Sequence, residues 1–269
     1  MRAALLLTLL TSFLELTGQD IFLEVPTRVK DIKLENLKSS YGQDYLIYIN
    51  LPDDYEKSTK SYPIFFILDP DVYFIGATNI YKKAVEQNGL EQSIVVGIGY
   101  GHEPKPKRFK DYSPTFQKDY PGSGNSENFR IFIEDILFPF LNKNYRTNGT
   151  RTIYGHSLGG LFACYVLFTK PTMFRNYIIS SPSAQWDNGI IFSYEDKYFA
   201  KSQTINAKTY FSIGDEKDGK KEFDKLIDRL KTRKYEGLKI KREDFPTKTH
   251  QTVIPHSLTN GISFILNED

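Results

Sequence analysis

The feature that most constrains this chain is a serine flanked by glycines, where an apolar strand pattern gives way to an apolar helix pattern. Residues 152–163 read TIYGHSLGGLFA, a G-x-S-x-G motif centred on Ser157. Glycines on both sides remove the Cβ atoms that would collide in a sharp strand-to-helix turn. The motif therefore predicts a nucleophile elbow that exposes a serine hydroxyl at the end of a strand. On the pentapeptide alone, a glycine-rich turn with an ordinary N-cap serine is the alternative.

Apolar runs of strand length alternate with helix-length patterns along the chain. Strands are predicted at 45–51, 64–68, 94–98, 152–154, 177–179 and 210–213, and helices at 127–145, 158–169, 220–232 and 258–266. Strands separated by helices indicate βαβ units. We therefore expect an α/β fold, with a mostly parallel central sheet flanked by helices. Pro139 should kink the first helix, and 101–126 should be a surface loop.

The first residues have the layout of a secretory signal peptide. Arg2 precedes the apolar run 3–14, and Glu15 comes too early for a spanning helix, which needs about 20 apolar residues. Residues 1–18 are therefore predicted to be a signal peptide and residues 19–269 a single domain, since no repeat or low-complexity linker divides them. We expect an exported protein, periplasmic or secreted, with no integral membrane span after signal removal.

Composition excludes several classes of partner and cofactor. With 35 Lys and Arg against 33 Asp and Glu, the net charge is +2, so the sequence shows no concentrated basic face for nucleic acid. The four histidines, at 102, 156, 250 and 256, and the single cysteine follow no metal-ligand spacing. No P-loop and no G-x-G-x-x-G at a strand-to-helix junction is present. We expect neither a metal nor another cofactor.

A serine hydroxyl is too weakly acidic to attack an ester unaided, so a histidine base is required, with an acid that orients it. In a fold with this elbow the chain order is serine, acid, histidine. His250 and His256 follow Ser157 in the sequence. We favour His250, which lies on a loop before the last helix, whereas His256 lies at the start of that helix.

The acid should follow the predicted strand 210–213. Asp215, Glu216 and Asp218 all lie there. Glu216 and Asp218 rank equally and Asp215 lower, and at least two of the three must be solvated loop carboxylates or helix caps. The sequence leaves the choice between Glu216 and Asp218 open.

An oxyanion formed on an ester carbonyl needs two backbone N–H donors. One should come from Leu158, the residue after the serine, and the other from the loop after an earlier strand. In that loop Pro70 has no N–H, so Asp71 or Val72 should donate. Two carboxylates beside an oxyanion would disfavour it, so we expect Asp69 or Asp71 to be paired or turned away.

Taken together, these motifs resemble the esterase family of α/β-hydrolases that includes ferric-siderophore esterases and is related to S-formylglutathione hydrolase, feruloyl esterases and mycolyltransferases. Besides 155–162, the resemblance is carried by YPIFFILD at 62–69, VVGIGY at 95–100, RFKDYSP at 108–114, FPFL at 138–141, SSPS at 180–183 and HQTVIP at 250–255.

The resemblance implies a serine esterase that forms an acyl-enzyme on Ser157, with His250 as its base. A small-molecule ester is the implied substrate, led by siderophore-type lactones and followed by feruloyl or acetyl esters. Arg108 would lie on a loop beside the active site, either on a cationic rim that suits a ferric catecholate or as a solvated residue. Gln185 and Trp186 would line the same cleft.

Two positions depart from the family pattern. The family's usual acid position holds Lys217, and Pro70 replaces the glycine that often follows Asp69. Some siderophore esterases of this family work with little help from an acid, so the first departure lowers the expected rate without removing the reaction. The alternatives are an acyltransferase of the same fold, and a catalytically silent hydrolase fold used for binding.

Overall fold

A twisted sheet with helices on both faces organises residues 31–101 and 104–267, the part of the chain described by the computed structural model. The predicted signal peptide at 1–18 lies outside these residues. In this part of the chain the strands are Lys33–Lys38 (β1), Asp44–Asn50 (β2), Tyr62–Leu68 (β3), Ile94–Gly99 (β4), Thr147–His156 (β5), Asn176–Ser180 (β6), Thr204–Gly214 (β7) and Glu236–Phe245 (β8).

The eight strands of the described chain pair in the order β1-β2-β4-β3-β5-β6-β7-β8. β2 is antiparallel to both β1 and β4, and every later pairing is parallel. Parallel strands bring their carboxyl ends to one edge of the sheet, so the loops after β3, β5, β6 and β7 meet there. The predicted α/β-hydrolase architecture with a mostly parallel sheet is confirmed.

Helices cover the sheet on its two sides. They are Pro70–Asn88 (α1), Pro104–Tyr112 (α2), Ser126–Phe132 (α3), Phe138–Asn144 (α4), Leu158–Thr169 (α5), Trp186–Lys201 (α6), Lys220–Arg233 (α7) and Ile254–Leu266 (α8). α1 and α8 pack on one face, against residues such as Phe65 and Ile67 of β3. Phe66 and Leu68 of the same strand face the larger core on the other side. Burial on both faces explains why the central strands are nearly continuous apolar runs.

One local expectation was wrong. The stretch 101–126 is not all loop, because Pro104–Tyr112 forms α2, with proline at the start of the helix, where its missing N–H costs nothing. The predicted helix around Pro139 is interrupted, because a π-helical turn at Ile133–Leu137 joins α3 to α4 just before the proline.

In the described part of the chain, the helices are too short or too polar to cross a membrane.

Candidate active site

The turn between β5 and α5 holds Ser157 in a strained conformation. Its φ of 58° and ψ of −119° are rare for a residue with a side chain. Gly155 is required in this turn, because a Cβ at that position would lie 2.2 Å from the carbonyl oxygen of Gly159. The Ser157 N–H donates to the carbonyl of Ser180 at 3.0 Å, which ties the turn to the end of β6. This is the elbow conformation that the G-x-S-x-G motif predicts.

His250 lies on the loop between β8 and α8, beside a carboxylate from the loop after β7. Its Nδ1 is 2.8 Å from Oε2 of Glu216. The His250 side chain is 37% exposed and that of Glu216 is 12% exposed. The histidine is therefore accessible to solvent, whereas the carboxylate is mostly buried. The sequence did not decide whether Glu216 or Asp218 is the partner of His250. In the structure, Glu216 is the residue that contacts His250.

The second oxygen of Glu216 is also occupied. Oε1 accepts hydrogen bonds from the Ser181 hydroxyl and from the Gly214 N–H at 3.3 Å. Burial raises the pKa of the Glu216 carboxyl, but these hydrogen bonds and the one to His250 lower it, and the net pKa lies below the ordinary value. Glu216 is therefore an ionised acceptor at neutral pH.

The two loops that carry this pair touch directly. The Asp215 N–H donates to the carbonyl of Lys248 at 2.6 Å. A Cβ on Gly214 would lie 2.5 Å from the same carbonyl oxygen, so the close approach depends on glycine. The spacing between Glu216 and His250 is thus set by the backbone of both loops.

Ser157 and His250 open onto one cavity of about 400 Å³. Its wall includes both residues, together with Ser181, Pro182, Ser183, Gln185, Ile213 and the loop 215–219. The Ser157 Oγ lies 3.5 Å from the Ser183 Oγ. No hydrogen bond joins Ser157 to His250 in the described part of the chain; such bonds often tighten only when a substrate is bound.

His156 lies beneath His250 and is almost fully buried. The two ring centroids are 4.5 Å apart, and His156 Nδ1 is 3.1 Å from the Ser180 hydroxyl. Burial, and charge on His250 and Arg108, hold the pKa of His156 well below its ordinary value. His156 is therefore a neutral ring that packs against His250.

The other predicted candidates lie away from the imidazole of His250. Asp218 is exposed on the cavity rim, and Asp215 is exposed and engages the neighbouring loop through its backbone. Asp218 is therefore the wrong choice as the partner of His250. His256 is exposed in the first turn of α8, with its ring 5.6 Å from that of Phe245.

The predicted backbone donors of the oxyanion hole lie in the first turns of two helices. Leu158 is the first residue of α5, and Asp71 lies in the first turn of α1, where N–H groups have no acceptor within the helix. The Val72 N–H donates to the carbonyl of Asp69 at 3.2 Å. Because the Val72 N–H already has an acceptor, Val72 is not the oxyanion donor. Leu158 and Asp71 remain as the candidate donors.

A comparison with models of known protein families identifies the family of this chain. The family model described as "Putative esterase" matches residues 38–244. The chain belongs to this esterase family. Membership supports hydrolysis of carboxylic esters as the chemistry of this chain.

Named relatives and solved structures agree with this assignment. The chain is 30% identical over 251 residues to ferri-bacillibactin esterase BesA of Bacillus subtilis, covering 85% of this chain and 86% of the relative. A crystal structure of the BES protein from Bacillus cereus superposes with a TM-score of 0.78 at 29% identity, covering 89% of this chain and 96% of that one. The IroE-like serine hydrolase of Shewanella oneidensis, at 24% identity, shares the fold with a TM-score of 0.81, covering 89% and 82%.

In this member of the esterase family, both carboxylates of the loop after β3 are paired, where the sequence led us to expect that Asp69 or Asp71 would be paired or turned away. Asp69 receives two hydrogen bonds from Arg108, with Nε 2.6 Å from Oδ1 and Nη2 2.9 Å from Oδ2. Asp71 accepts from the Tyr48 hydroxyl and from the N–H groups of Tyr100 and Gly101. Arg108 is therefore neither a solvated loop residue nor an uncompensated cation on the rim.

Trp186 lies beside the cavity rather than on its wall, contrary to expectation. Its side chain is largely buried, and its indole N–H lies 3.3 Å from the carbonyl and hydroxyl oxygens of Thr115. Its ring packs 5.2 Å from Tyr120, which is 44% exposed. Gln185, the preceding residue, lines the cavity as the resemblance implied.

Two residues at the site were not singled out from the sequence. Ser181 contacts Glu216, and Ser183 contacts Ser157. Both belong to the SSPS segment at 180–183, which carries part of the family resemblance. Their position at the end of β6, between β5 and β7, was the available signal.

Proposed function

We propose that this protein is an exported serine esterase that cleaves its substrate through an acyl-enzyme on Ser157. The observation that carries the proposal is the hydrogen bond between Glu216 and His250 on the cavity that also exposes Ser157. An ionised carboxylate accepting from Nδ1 leaves Nε2 of the imidazole free to accept a proton.

The reaction then follows from the roles of these groups. His250 takes the proton of the Ser157 hydroxyl as Oγ attacks the ester carbonyl carbon. The N–H groups of Leu158 and Asp71 stabilise the oxyanion, and loss of one such donor typically costs about 10²- to 10³-fold in rate. His250 returns the proton to the departing alcohol. Water, activated by the same imidazole, then hydrolyses the acyl-enzyme and frees Ser157.

We infer that the substrate is a siderophore-type ester or another ester with aromatic groups. Relatives are named for ferri-bacillibactin and for triacetylfusarinine C. Beside the cavity, the partly exposed Tyr120 packs on the largely buried Trp186, and Phe116 on the same loop as Tyr120 is 63% exposed. Flat aromatic groups of a substrate would pack well on such side chains.

Export follows from the predicted signal peptide at 1–18. A protein made with this segment in its native host should be found outside the cytoplasm, with its first residue near position 19, and N-terminal sequencing of the mature protein tests this. An unprocessed cytoplasmic protein would contradict it.

The catalytic proposal is tested by steady-state turnover of a short-chain p-nitrophenyl ester and of a ferric catecholate lactone. Wild type should hydrolyse at least one of them, and Ser157→Ala and His250→Ala should each abolish turnover while retaining the wild-type melting temperature. The exposed histidine variant His256→Ala is the matched control and should keep full activity. Undiminished turnover by Ser157→Ala would contradict the proposal.

A further inference from the structure

Ser181 is held in an unusual backbone conformation directly behind the proposed acid. Its φ is 43°, in the left-handed region that a residue with a side chain seldom occupies. It is 2% exposed, and its N–H donates to the carbonyl of Ser212 in β7 at 2.8 Å. Strain of this kind persists only where surrounding structure enforces it, and it concentrates at functional sites.

The strained backbone aims the Ser181 hydroxyl at one oxygen of Glu216. That oxygen, Oε1, accepts from Ser181 and from the Gly214 N–H. Oε2 remains for Nδ1 of His250 at 2.8 Å. With one oxygen bound by two donors, the carboxylate cannot rotate without breaking both bonds, so the oxygen facing the imidazole is fixed.

We propose that Ser181 is a positioning residue, whose hydroxyl fixes the Glu216 carboxylate and thereby the orientation and tautomer of His250. This inference rests on the proposed function, because it assumes that Glu216 orients the base. Ser181 acts on the imidazole only through Glu216.

Glu216 lies on the loop that follows β7. Its loop is tied to the loop 246–253 through backbone contacts at Gly214, Asp215 and Lys248. Ser181 supplies the side-chain hydrogen bond that anchors the carboxylate itself from the β6 side.

Two substitutions separate the hydroxyl from the backbone conformation. Ser181→Ala removes the hydroxyl and keeps the strain, whereas Ser181→Gly removes the hydroxyl and relieves the strain. Both variants lose the hydrogen bond from Ser181 to the charged Glu216 carboxylate. Because hydrogen bonds to charged groups are among the stronger ones in proteins, kcat should fall roughly ten- to a hundredfold in each variant. KM should stay within about twofold, because Ser181 is only 2% exposed and its hydroxyl is bound to Glu216. Ser263→Ala, which removes an exposed hydroxyl on α8, serves as the control.

The decisive measurement is a double-mutant cycle on a short-chain p-nitrophenyl ester. Ser181→Ala and Ser181→Gly should each lower kcat in the wild-type background, and neither should lower it further in the Glu216→Ala background. If Ser181→Gly has wild-type kcat, the inference is overturned, because the residue then serves only the backbone. The same conclusion follows if the Ser181 variants lower kcat equally in both backgrounds.

The cycle also separates failure of this inference from failure of the proposed function. An impaired Glu216→Ala enzyme with unimpaired Ser181 variants would overturn the positioning role and leave the proposed function standing. Wild-type kcat in Glu216→Ala would overturn the role of Glu216 in the proposed function, and the positioning role with it.

Discussion

Arg108 of α2 and Asp69, the residue before α1, form a two-bond ion pair with side chains only 20% and 8% exposed. The pair joins the segment 104–112 to the loop that leads into the first turn of α1. Asp69 has a φ of 56° and donates its N–H to the Tyr112 hydroxyl at 3.1 Å. The conformation of the proposed oxyanion loop therefore depends on contacts from α2.

Removing Arg108 should destabilise the fold. Arg108→Ala would leave the Asp69 carboxylate buried without its cation, which typically costs about 3–5 kcal/mol. Urea denaturation measures the loss, and Arg242→Ala, at a more exposed ion pair, is the control with a smaller effect. The double variant Arg108→Ala with Asp69→Asn should recover part of the lost free energy of unfolding. No recovery would show that the two side chains act independently.

Glu216 and Asp218 should respond differently to substitution. Glu216→Gln keeps the size of the side chain but removes the charge that fixes the imidazole, and kcat should fall by up to about 10⁴-fold, as when a triad acid is replaced by its amide. Asp218→Asn should stay within about twofold of wild type. The comparison is made on one ester at saturating concentration. A larger loss of kcat in Asp218→Asn than in Glu216→Gln would show that Asp218, and not Glu216, is the acid.

His156 should make stability depend on pH in the range just below neutrality. Because the pKa of His156 is lowered by burial, the unfolded chain takes up a proton below about pH 6.5 that the folded chain does not. The free energy of unfolding should therefore fall as pH drops below that value, with a contribution of at most about 1.4 kcal/mol per pH unit.

The test compares wild type with His156→Phe by urea denaturation between pH 7.5 and about 5. The other titrating groups are shared, so the difference between the two curves isolates His156. The stability advantage of wild type should shrink as the pH falls. A difference independent of pH would mean that His156 gains a proton in the folded state as easily as in the unfolded one.

Phe116 should influence which esters are preferred. Truncating this exposed ring with Phe116→Ala should raise KM for an ester with an aromatic acyl group by roughly three- to tenfold, and leave KM for an acetyl ester unchanged. Leu34→Ala, on the edge strand β1, removes an equally exposed apolar side chain as a control. Equal changes in KM for both esters would show that Phe116 does not contribute to the preference for aromatic esters.

The sequence was most informative where burial dictates the residue pattern. The central strands, such as Tyr62–Leu68, are apolar because helices cover both sides, and the elbow at Ser157 shows as paired glycines. The edge strands Lys33–Lys38 and Glu236–Phe245 were missed. Charged residues recur along both, as is common where a strand has only one neighbour.

Choices that depend on tertiary contacts could not be made from sequence. Spacing places Glu216 and Asp218 on the same loop, and only the tertiary contacts of Glu216 with His250, Ser181 and Gly214 select between them. Likewise, Trp186 follows a predicted cleft residue, but the direction of its ring is set by Thr115 on a distant segment.

The central claim, an acyl-enzyme on Ser157, is tested most directly by rapid quenching of wild type with an aryl ester, followed by mass spectrometry of the digested protein. We expect a burst of alcohol release equal to the enzyme concentration, and one acyl group on the peptide that carries Ser157. Ser157→Ala should show neither. Turnover without an acylated enzyme, or acylation of Ser183, whose hydroxyl lies 3.5 Å away, would contradict it.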